Sequence, residues 1–523
     1  MRFIFRQPSS LLRKFKPNDL LVLIPTVFLY LFITLRNISG SSIWFDEGFG
    51  VYMSRFDFFE IAKYTAADVH PPLYYWTLKI WTFVFGVSEY SVRSLSVFFG
   101  ALALILIYFI VKDLFSKKAA TFAVFLGSIS PMLVRYGEEA RMYTMVLSVA
   151  LLGTWLFLKA LKFNNKKYWT YYGIVVGVGL WIHYFIALVW IIHWIFLVTN
   201  QFRDISKPKI IKNNVFSLDS YRPYFLALIV FLPWLPFMIF QLGVVQGGGF
   251  WIGQVGLYSF TNYLTETFYY NDQALTLSWM ALLIVLIILF SYYFYKNSYR
   301  YFNNDKQTST KLFVATALIT PALLFVLSLP PLRSAFVERY LLTAAMFIPI
   351  SIGILIAEAK TSNVKKYFML GLISLVSVIG ISNVYHFGNY NKNTHFEILS
   401  RHIYQETVKR SEDGVPVIAS SPWMYYETFI YSTDRNPIYF VDKDTSYEYG
   451  SLHMLRDTKV AKISDIQEFI KNNNRFWYIG VSDNELEAPY DNICKIDSFT
   501  LEGRIDRKKI YQGFEYQYCS NSN

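Results

Sequence analysis

The sequence predicts a mainly α-helical, polytopic membrane protein of about eleven spans with a small α/β domain at its C-terminal end. Three observations predict it. Of 523 residues, 54% are hydrophobic and only 16% charged, against about 25% charged in soluble globular chains. The apolar residues gather in runs near the roughly 20 residues that a helix needs to cross a bilayer. The basic residues gather between those runs, in short loops that all fall on one side once the runs are taken as spans.

The runs lie at 19–37, 92–112, 118–135, 141–161, 168–182, 184–200, 223–242, 275–296, 310–329, 338–357 and 367–385. The first looks superficially like a signal peptide. No small-residue cleavage site follows it, so it reads as a retained span. The segment 71–86, PPLYYWTLKIWTFVFG, is shorter and rich in Trp and Tyr. It reads as a helix lying at the membrane interface. Aromatic residues make up 19% of the chain, which suits wide interfacial belts of Trp and Tyr.

Charge fixes the orientation. With Arg2, Arg6, Arg13, Lys14 and Lys16 cytoplasmic, alternation puts four further groups inside from Lys112, Lys117 and Lys118 through Lys162, Lys166 and Lys167 to Arg203, Lys207, Lys209 and Lys212, and Lys296, Arg300, Lys306 and Lys311. Lys360, Lys365 and Lys366 follow on the same side. Counting 71–86 as a span would put the Lys117 loop outside and break the pattern. The formal net charge of +12 is therefore that of loops facing anionic headgroups, not of a nucleic-acid surface. The chain is expected in the inner or plasma membrane, with partners among the membrane lipids. Residues 1–385 form the membrane domain. Outside fall the loop 38–91, the corner 135–143, the junction Trp181-Ile182-His183-Tyr184, the Gly-rich loop near 243–274, the corner 330–340 and the tail 386–523.

In the tail the apolar runs shorten to strand length, at Val415–Ala419, Pro437–Val441 and Arg475–Val481. The helical stretch 463–473 lies between them, which is an α/β pattern. Both cysteines, Cys494 and Cys519, are here. An extracytoplasmic setting permits a disulfide, and two unpaired thiols are the equal alternative.

Several polar groups stand on the outer side. Asp46 and Glu47, in Trp44-Phe45-Asp46-Glu47-Gly48, follow the first span by under ten residues. Charge this close to hydrocarbon is expensive, and a carboxylate in a partly desolvated cleft can act as a base. The bland reading is a solvated loop acid. His70 precedes Pro71 and Pro72, which fix an extended entry into the next helix. It could donate a hydrogen bond or bind metal, or simply cap the helix. The corner Arg135-Tyr136-Gly137-Glu138-Glu139-Ala140-Arg141-Met142-Tyr143 offers planar guanidinium forks suited to phosphate. It also reads as a snorkelling hairpin end with Arg141 paired to Glu138. Arg339 and Tyr340 stand at a second arginine corner. His183-Tyr184 and Gly247-Gly248-Gly249-Phe250 are weaker signals. No P-loop, dinucleotide fingerprint, HExxH helix, GxSxG elbow or Cys/His zinc cluster is present in the sequence.

Four segments in order, WFDEGF, HPPLYYW, VRSLSVFFGALALILIYFIVKDLF and SPMLVRYGEEARMYT, together resemble the bacterial members of the protein O-mannosyltransferase and aminoarabinose transferase group. These are glycosyltransferase family 39-like membrane enzymes of GT-C type. The resemblance covers roughly residues 20–200. Later spans match in hydropathy, with the VERYL corner in support, and the C-terminal domain matches no motif. The resemblance implies a sugar donor linked to a polyprenyl phosphate and a site outside the cytoplasm beside the first loop. It implies Asp46 as the leading catalytic residue with Glu47 beside it, and His70 in the element that shapes the site. Arg141 is implied as a partner of the carrier phosphate, with Arg339 a second, and Glu139, Tyr143 and Tyr340 count as substrate-binding members of the same corners. The lysine of the aminoarabinose branch is absent, since His70 precedes Pro71. That favours the mannosyltransferase-like side, with mannose or another hexose transferred.

The expected chemistry is direct displacement with inversion. Positioned arginines stabilise the departing lipid phosphate and a carboxylate takes the proton of the acceptor hydroxyl. A divalent cation on Asp46, Glu47 or Glu139 stays open, because carboxylate oxygens suit such ions. The acceptor is a protein, lipid or glycan. The competing reading is a transporter or flippase for a lipid-linked glycan, kept alive by Pro233 and Pro236 inside one span. A third is a non-catalytic scaffold that displays the outer domain.

Overall fold

The computed structural model describes residues 17–163, 165–205, 218–247, 252–270, 277–387, 398–441, 453–457, 461–482, 486–502 and 510–519. The basic cluster Arg2 to Lys16, Lys207, Lys209, Lys212 and residues 248–250 of the Gly-rich loop lie outside the described residues.

Each of the eleven apolar runs folds as helix, the conformation in which a backbone in hydrocarbon satisfies its own N–H and C=O groups. In chain order the helices are α1 (Pro17–Asn37), α2 (Phe45–Met53), α3 (Phe58–Ala66), α4 (Leu73–Phe85), α5 (Glu89–Leu114), α6 (Lys117–Ser128), α7 (Pro131–Gly137), α8 (Tyr143–Phe163) and α9 (Lys166–Ile182). There follow α10 (Ile186–Ile205), α11 (Leu218–Phe231), α12 (Leu235–Gly247), α13 (Leu257–Phe268), α14 (Leu277–Ser298), α15 (Asn304–Val326), α16 (Leu342–Glu358) and α17 (Asn363–Phe387). Among the described residues six helices are long and apolar enough to cross a membrane, or up to eight if two bent pairs each count as one. The chain is thus a multi-pass membrane protein. Two of the eleven runs fall short of that length, since α9 stops at 17 residues and the apolar part of α10 covers only Ile186–Thr199. The bends have a chemical cause. Pro131 opens α7 after a 57° break, and Pro233 lies in the 80° break between α11 and α12. A proline ring removes a backbone donor and clashes with the preceding turn.

Two ends of the bundle are distinguished by charge. A chain of ion pairs runs across one end. Lys112 binds Asp19 at 2.5 Å, Lys159 binds Asp113 at 3.4 Å, Lys162 binds Asp305 at 2.8 Å and Lys306 binds Glu358 at 2.6 Å. These residues lie at the start of α1 and α15 and at the end of α5, α8 and α16. The opposite ends of the same helices carry Arg93, Arg141 and Arg339. There Tyr30 of α1 wedges against α5 and α7. A Cβ at Gly100 would sit 2.0 Å, and one at Gly137 2.4 Å, from the Tyr30 hydroxyl, so only glycine admits this approach.

The segment 38–91, read from sequence as a loop with one surface helix, folds into three short helices, α2 to α4. The tail forms α18 (Ser400–Arg410), β1 (Val417–Ala419), α19 (Pro422–Thr428), β2 (Ile438–Val441), α20 (His453–Arg456), β3 (Lys462–Ile463), α21 (Ile466–Asn473), β4 (Arg475–Ser482), β5 (Ile493–Glu502) and β6 (Ile510–Tyr518). Its six-stranded sheet has the order β3-β2-β1-β4-β6-β5. The first four strands pair in parallel, and β6 pairs antiparallel with both β4 and β5. Central β1 is buried on both faces, as parallel strands are. Cys494 and Cys519 form a disulfide joining the β5–β6 hairpin, which decides the alternative left open above. One sheet face, with Ile418, Phe476, Tyr478 and Phe514, forms its own core. The other, with Val417, Ala419, Trp477 and Ile479, is continuous with the core of the membrane part. The sheet therefore sits firmly on the end of the bundle that holds the arginines.

Candidate active site

The site starts at the N-terminus of α2. Acidic residues in a first turn face the positive end of the helix dipole, and Asp46 and Glu47 both sit there. Neighbours on a helix point about 100° apart, and this separates the two carboxylates. Glu47 turns inward and is 1% exposed. Its oxygens accept from Arg93 Nε at 2.8 Å, Arg93 Nη2 at 2.6 Å and the Ala140 amide at 2.9 Å. Arg93 spends its remaining donors on the carbonyls of Ile38, Ser41 and Ser42 at 2.8–2.9 Å. One buried guanidinium thus ties α5 to the turn before α2 and, through Glu47, to the corner at Ala140.

Asp46 keeps a 22% exposed side chain and lies between two arginines. Its Oδ2 is 3.5 Å from Arg339 Nη1 and 3.9 Å from Arg141 Nη2. Arg141 Nη1 also donates to the Asp46 carbonyl at 3.2 Å and lies 3.5 Å from the Tyr75 hydroxyl. The Arg339 guanidinium lies 5.7 Å from the ring centres of both Trp44 and Tyr340, close enough for cation–π attraction.

The aromatic wall comes from three corners. The Tyr340 ring lies 6.2 Å from Tyr143 and 5.1 Å from His183. His183 in turn lies 5.5 Å from His70. His70 Nδ1 is 3.2 Å from Asp68 Oδ2, in the stretch that enters α4. Tyr143, His183, Arg339 and Tyr340 line a small cavity together with Phe185 and Thr320. Burial holds the His183 imidazole well below its ordinary pKa, and nearby His70, Arg141 and Arg339 push it the same way.

The structure therefore brings together Asp46, Arg141, Tyr143, Arg339 and Tyr340, with His70 at their edge. Two of the expected residues turn elsewhere. Glu47 is committed to Arg93, and buried Glu139 faces Arg135 at 3.8 Å. Sequence reasoning missed Arg93 and Tyr75. The signal for Arg93 was available: a lone charge in an apolar run needs a buried partner. A divalent cation does not fit. Asp46 faces two guanidinium groups and Glu47 one, and among the described residues no three His, Cys, Asp or Glu side chains are placed to hold a metal ion.

The tail touches this site. A Cβ at Gly48 would lie 2.0 Å from the Tyr426 carbonyl oxygen, so α19 rests directly on the backbone of α2. Tyr52 packs on Tyr425, Tyr426 and Phe429 at 5.1–5.8 Å. The Tyr431 hydroxyl accepts from the Ile43 amide at 2.8 Å, and Arg401 binds Glu89 at 2.6 Å and the Ser39 carbonyl at 3.0 Å.

Residues 69–237 match the family described as "Dolichyl-phosphate-mannose-protein mannosyltransferase". A relative from Bacillus subtilis (strain 168), "Putative mannosyltransferase YkcB", is 28% identical over 173 residues, which are 31% of this chain. The match spans only 23% of that relative's length. In fold the chain is similar to ArnT from Cupriavidus metallidurans in the apo state, with a TM-score of 0.55 and 10% identity over 88% of this chain and 92% of that one. The same protein bound to undecaprenyl phosphate gives a TM-score of 0.52 and 10% identity over 95% of this chain and 97% of that one. The resemblance drawn from the motifs is borne out, in sequence over residues 69–237 and in fold over most of the chain.

Proposed function

We propose that this chain is a membrane glycosyltransferase that moves a sugar, mannose or another hexose, from a polyprenyl-phosphate carrier to an extracytoplasmic acceptor hydroxyl with inversion. The observation that carries the reading is the Asp46 carboxylate set between Arg141 and Arg339, 3.9 and 3.5 Å away. Two arginine forks suit a phosphate that gains charge as its glycosidic bond breaks. In this reading the phosphate competes with Asp46 for their N–H groups, and the carboxylate turns to the acceptor and takes its proton. The hydroxyl oxygen attacks the anomeric carbon opposite the phosphate, which leaves with the bonding electrons as polyprenyl phosphate. Glu47 anchors the turn through Arg93 and takes no proton. The family match and the solved relative bound to undecaprenyl phosphate support the donor class.

The topology belongs to the same proposal. The N-terminus is cytoplasmic, the runs cross about eleven times in all, residues 1–385 form the catalytic membrane domain and 386–523 an extracytoplasmic domain. The one-sided grouping of Lys112, Lys162 and Lys306 supports it. The test is to incubate the purified full chain with several polyprenyl-phosphate sugars and an extract of cell-envelope acceptors. Free polyprenyl phosphate should appear with one of them. No release from any mannosyl or other hexosyl donor, with protein that stays folded, overturns the reading.

A further inference from the structure

His183 lines the cavity that Arg339 also lines, and among the described residues one of its ring nitrogens is buried without a hydrogen-bond partner. It follows the last turn of α9, and its side chain is 5% exposed. Its Nδ1 accepts the Phe185 amide N–H at 3.2 Å. A backbone N–H can only donate, so Nδ1 bears the lone pair and the proton resides on Nε2. Among the described residues Nε2 is buried with no hydrogen-bond partner, and so is Thr320 Oγ1 on the same cavity wall. Buried polar groups nearly always have partners, so an unmet donor on a cavity wall calls for an acceptor there, a water or a ligand oxygen.

We propose that His183 binds the carrier phosphate, donating Nε2–H to a phosphate oxygen that Arg141 and Arg339 also hold. The proposal rests on the donor being a polyprenyl-phosphate sugar, as read above. Arg339 lies on the same cavity wall, which makes an anionic oxygen the favoured acceptor. Charge explains the choice of residue. Beside two guanidinium groups a third cation is repelled, whereas an imidazole kept neutral by burial and by those same arginines adds a directional donor without added repulsion. Packing fixes its aim, since Tyr340, Phe185 and His70 surround the ring at 5.1–5.5 Å.

The experiment compares binding of polyprenyl phosphate, and of the same polyprenol without phosphate, to the detergent-purified full chain. His183→Phe keeps ring volume and removes the donor. It should weaken polyprenyl phosphate about tenfold and leave polyprenol unchanged. His183→Gln, whose amide N–H reaches a similar place, should recover most of the loss. Unchanged phosphate affinity in His183→Phe overturns the assignment while the donor class stands. A wild-type chain that binds the two lipids equally overturns the donor class and this assignment together. If His183→Phe does not fold, histidine-labelled wild-type protein serves instead, with His183→Gln used to assign the signal. Its Nε2–H resonance should move on adding polyprenyl phosphate but not polyprenol, and a signal that stays put overturns the proposal.

Discussion

The guanidinium of Arg93 closes on the carboxylate of Glu47 at 2.6 Å, with each side chain 1% exposed. The pair joins the start of α5 to the first turn of α2 and, through the Ala140 amide, to the corner that carries Arg141. It is the mechanical link between the acid and the arginine of the candidate site.

Removing one partner of such a pair strands a buried charge. Arg93→Met should lower stability by about 3–5 kcal/mol, and Glu47→Leu should act in the same direction. Thermal unfolding of the detergent-solubilised protein measures this. The double change Arg93→Met with Glu47→Leu should be milder than the sum of the single changes. Strictly additive losses would mean that the two side chains act independently.

Asp46 behaves differently because it is partly exposed and anchors no backbone through its carboxylate in the way Glu47 does. Asp46→Asn should reduce sugar transfer by about 10²–10⁴-fold with little change in melting temperature. Release of polyprenyl phosphate is the readout. Near-normal transfer would remove Asp46 from the role of base.

For Arg141 the fork geometry matters as well as the charge. Arg141→Lys retains the charge but offers no planar pair of donors. It should still lose about 10²–10³-fold in turnover, with weaker donor binding in the same variant. Full activity in the lysine variant would show that a point charge suffices.

Gly48 faces the Tyr426 carbonyl with no room for a Cβ. Gly48→Ala should push α19 off α2 and lower stability by about 1–3 kcal/mol. Limited proteolysis should then cut the chain faster than in the wild type. Tyr426→Phe, which leaves the backbone in place, should not. Equal cutting rates for Gly48→Ala and the wild type would show that the two layers adjust without separating.

His183 gives a pH signature. Its folded pKa lies below the ordinary value of 6.5, so below that pH the unfolded chain binds a proton that the folded chain refuses. Its contribution therefore costs nothing above about pH 6.5 and destabilises the fold progressively as pH falls toward the folded value. His183→Phe should flatten the decline of melting temperature between about pH 6.5 and 5. An identical decline in the variant would assign the acid sensitivity to other groups.

Much of the architecture is legible in the sequence. The apolar runs marked the helices, and the strand-length runs near 415, 437 and 475 marked β1, β2 and β4. The acid of α2 and the corners of Arg141 and Arg339 could be singled out by charge at span ends. The short α9 and the bent pairs were harder, because hydropathy measures apolar length and not where a proline interrupts the axis. The roles of Asp46 and Glu47 could not be told apart at all. They are adjacent in sequence, and the partner that separates them, Arg93, lies 46 residues away.

By itself the sequence determined that this chain enters a membrane many times, which ends of its helices carry charge, and that a sheet follows the last long helix. These are local quantities, additive over a window of residues, and burial of apolar surface makes them decisive. Only the tertiary structure decided which carboxylate is locked and which is left facing two arginines, which histidine nitrogen holds its proton, and that α19 braces the acid-bearing helix. Each of those depends on atoms brought within a few ångströms from distant segments, and no window along the chain contains them.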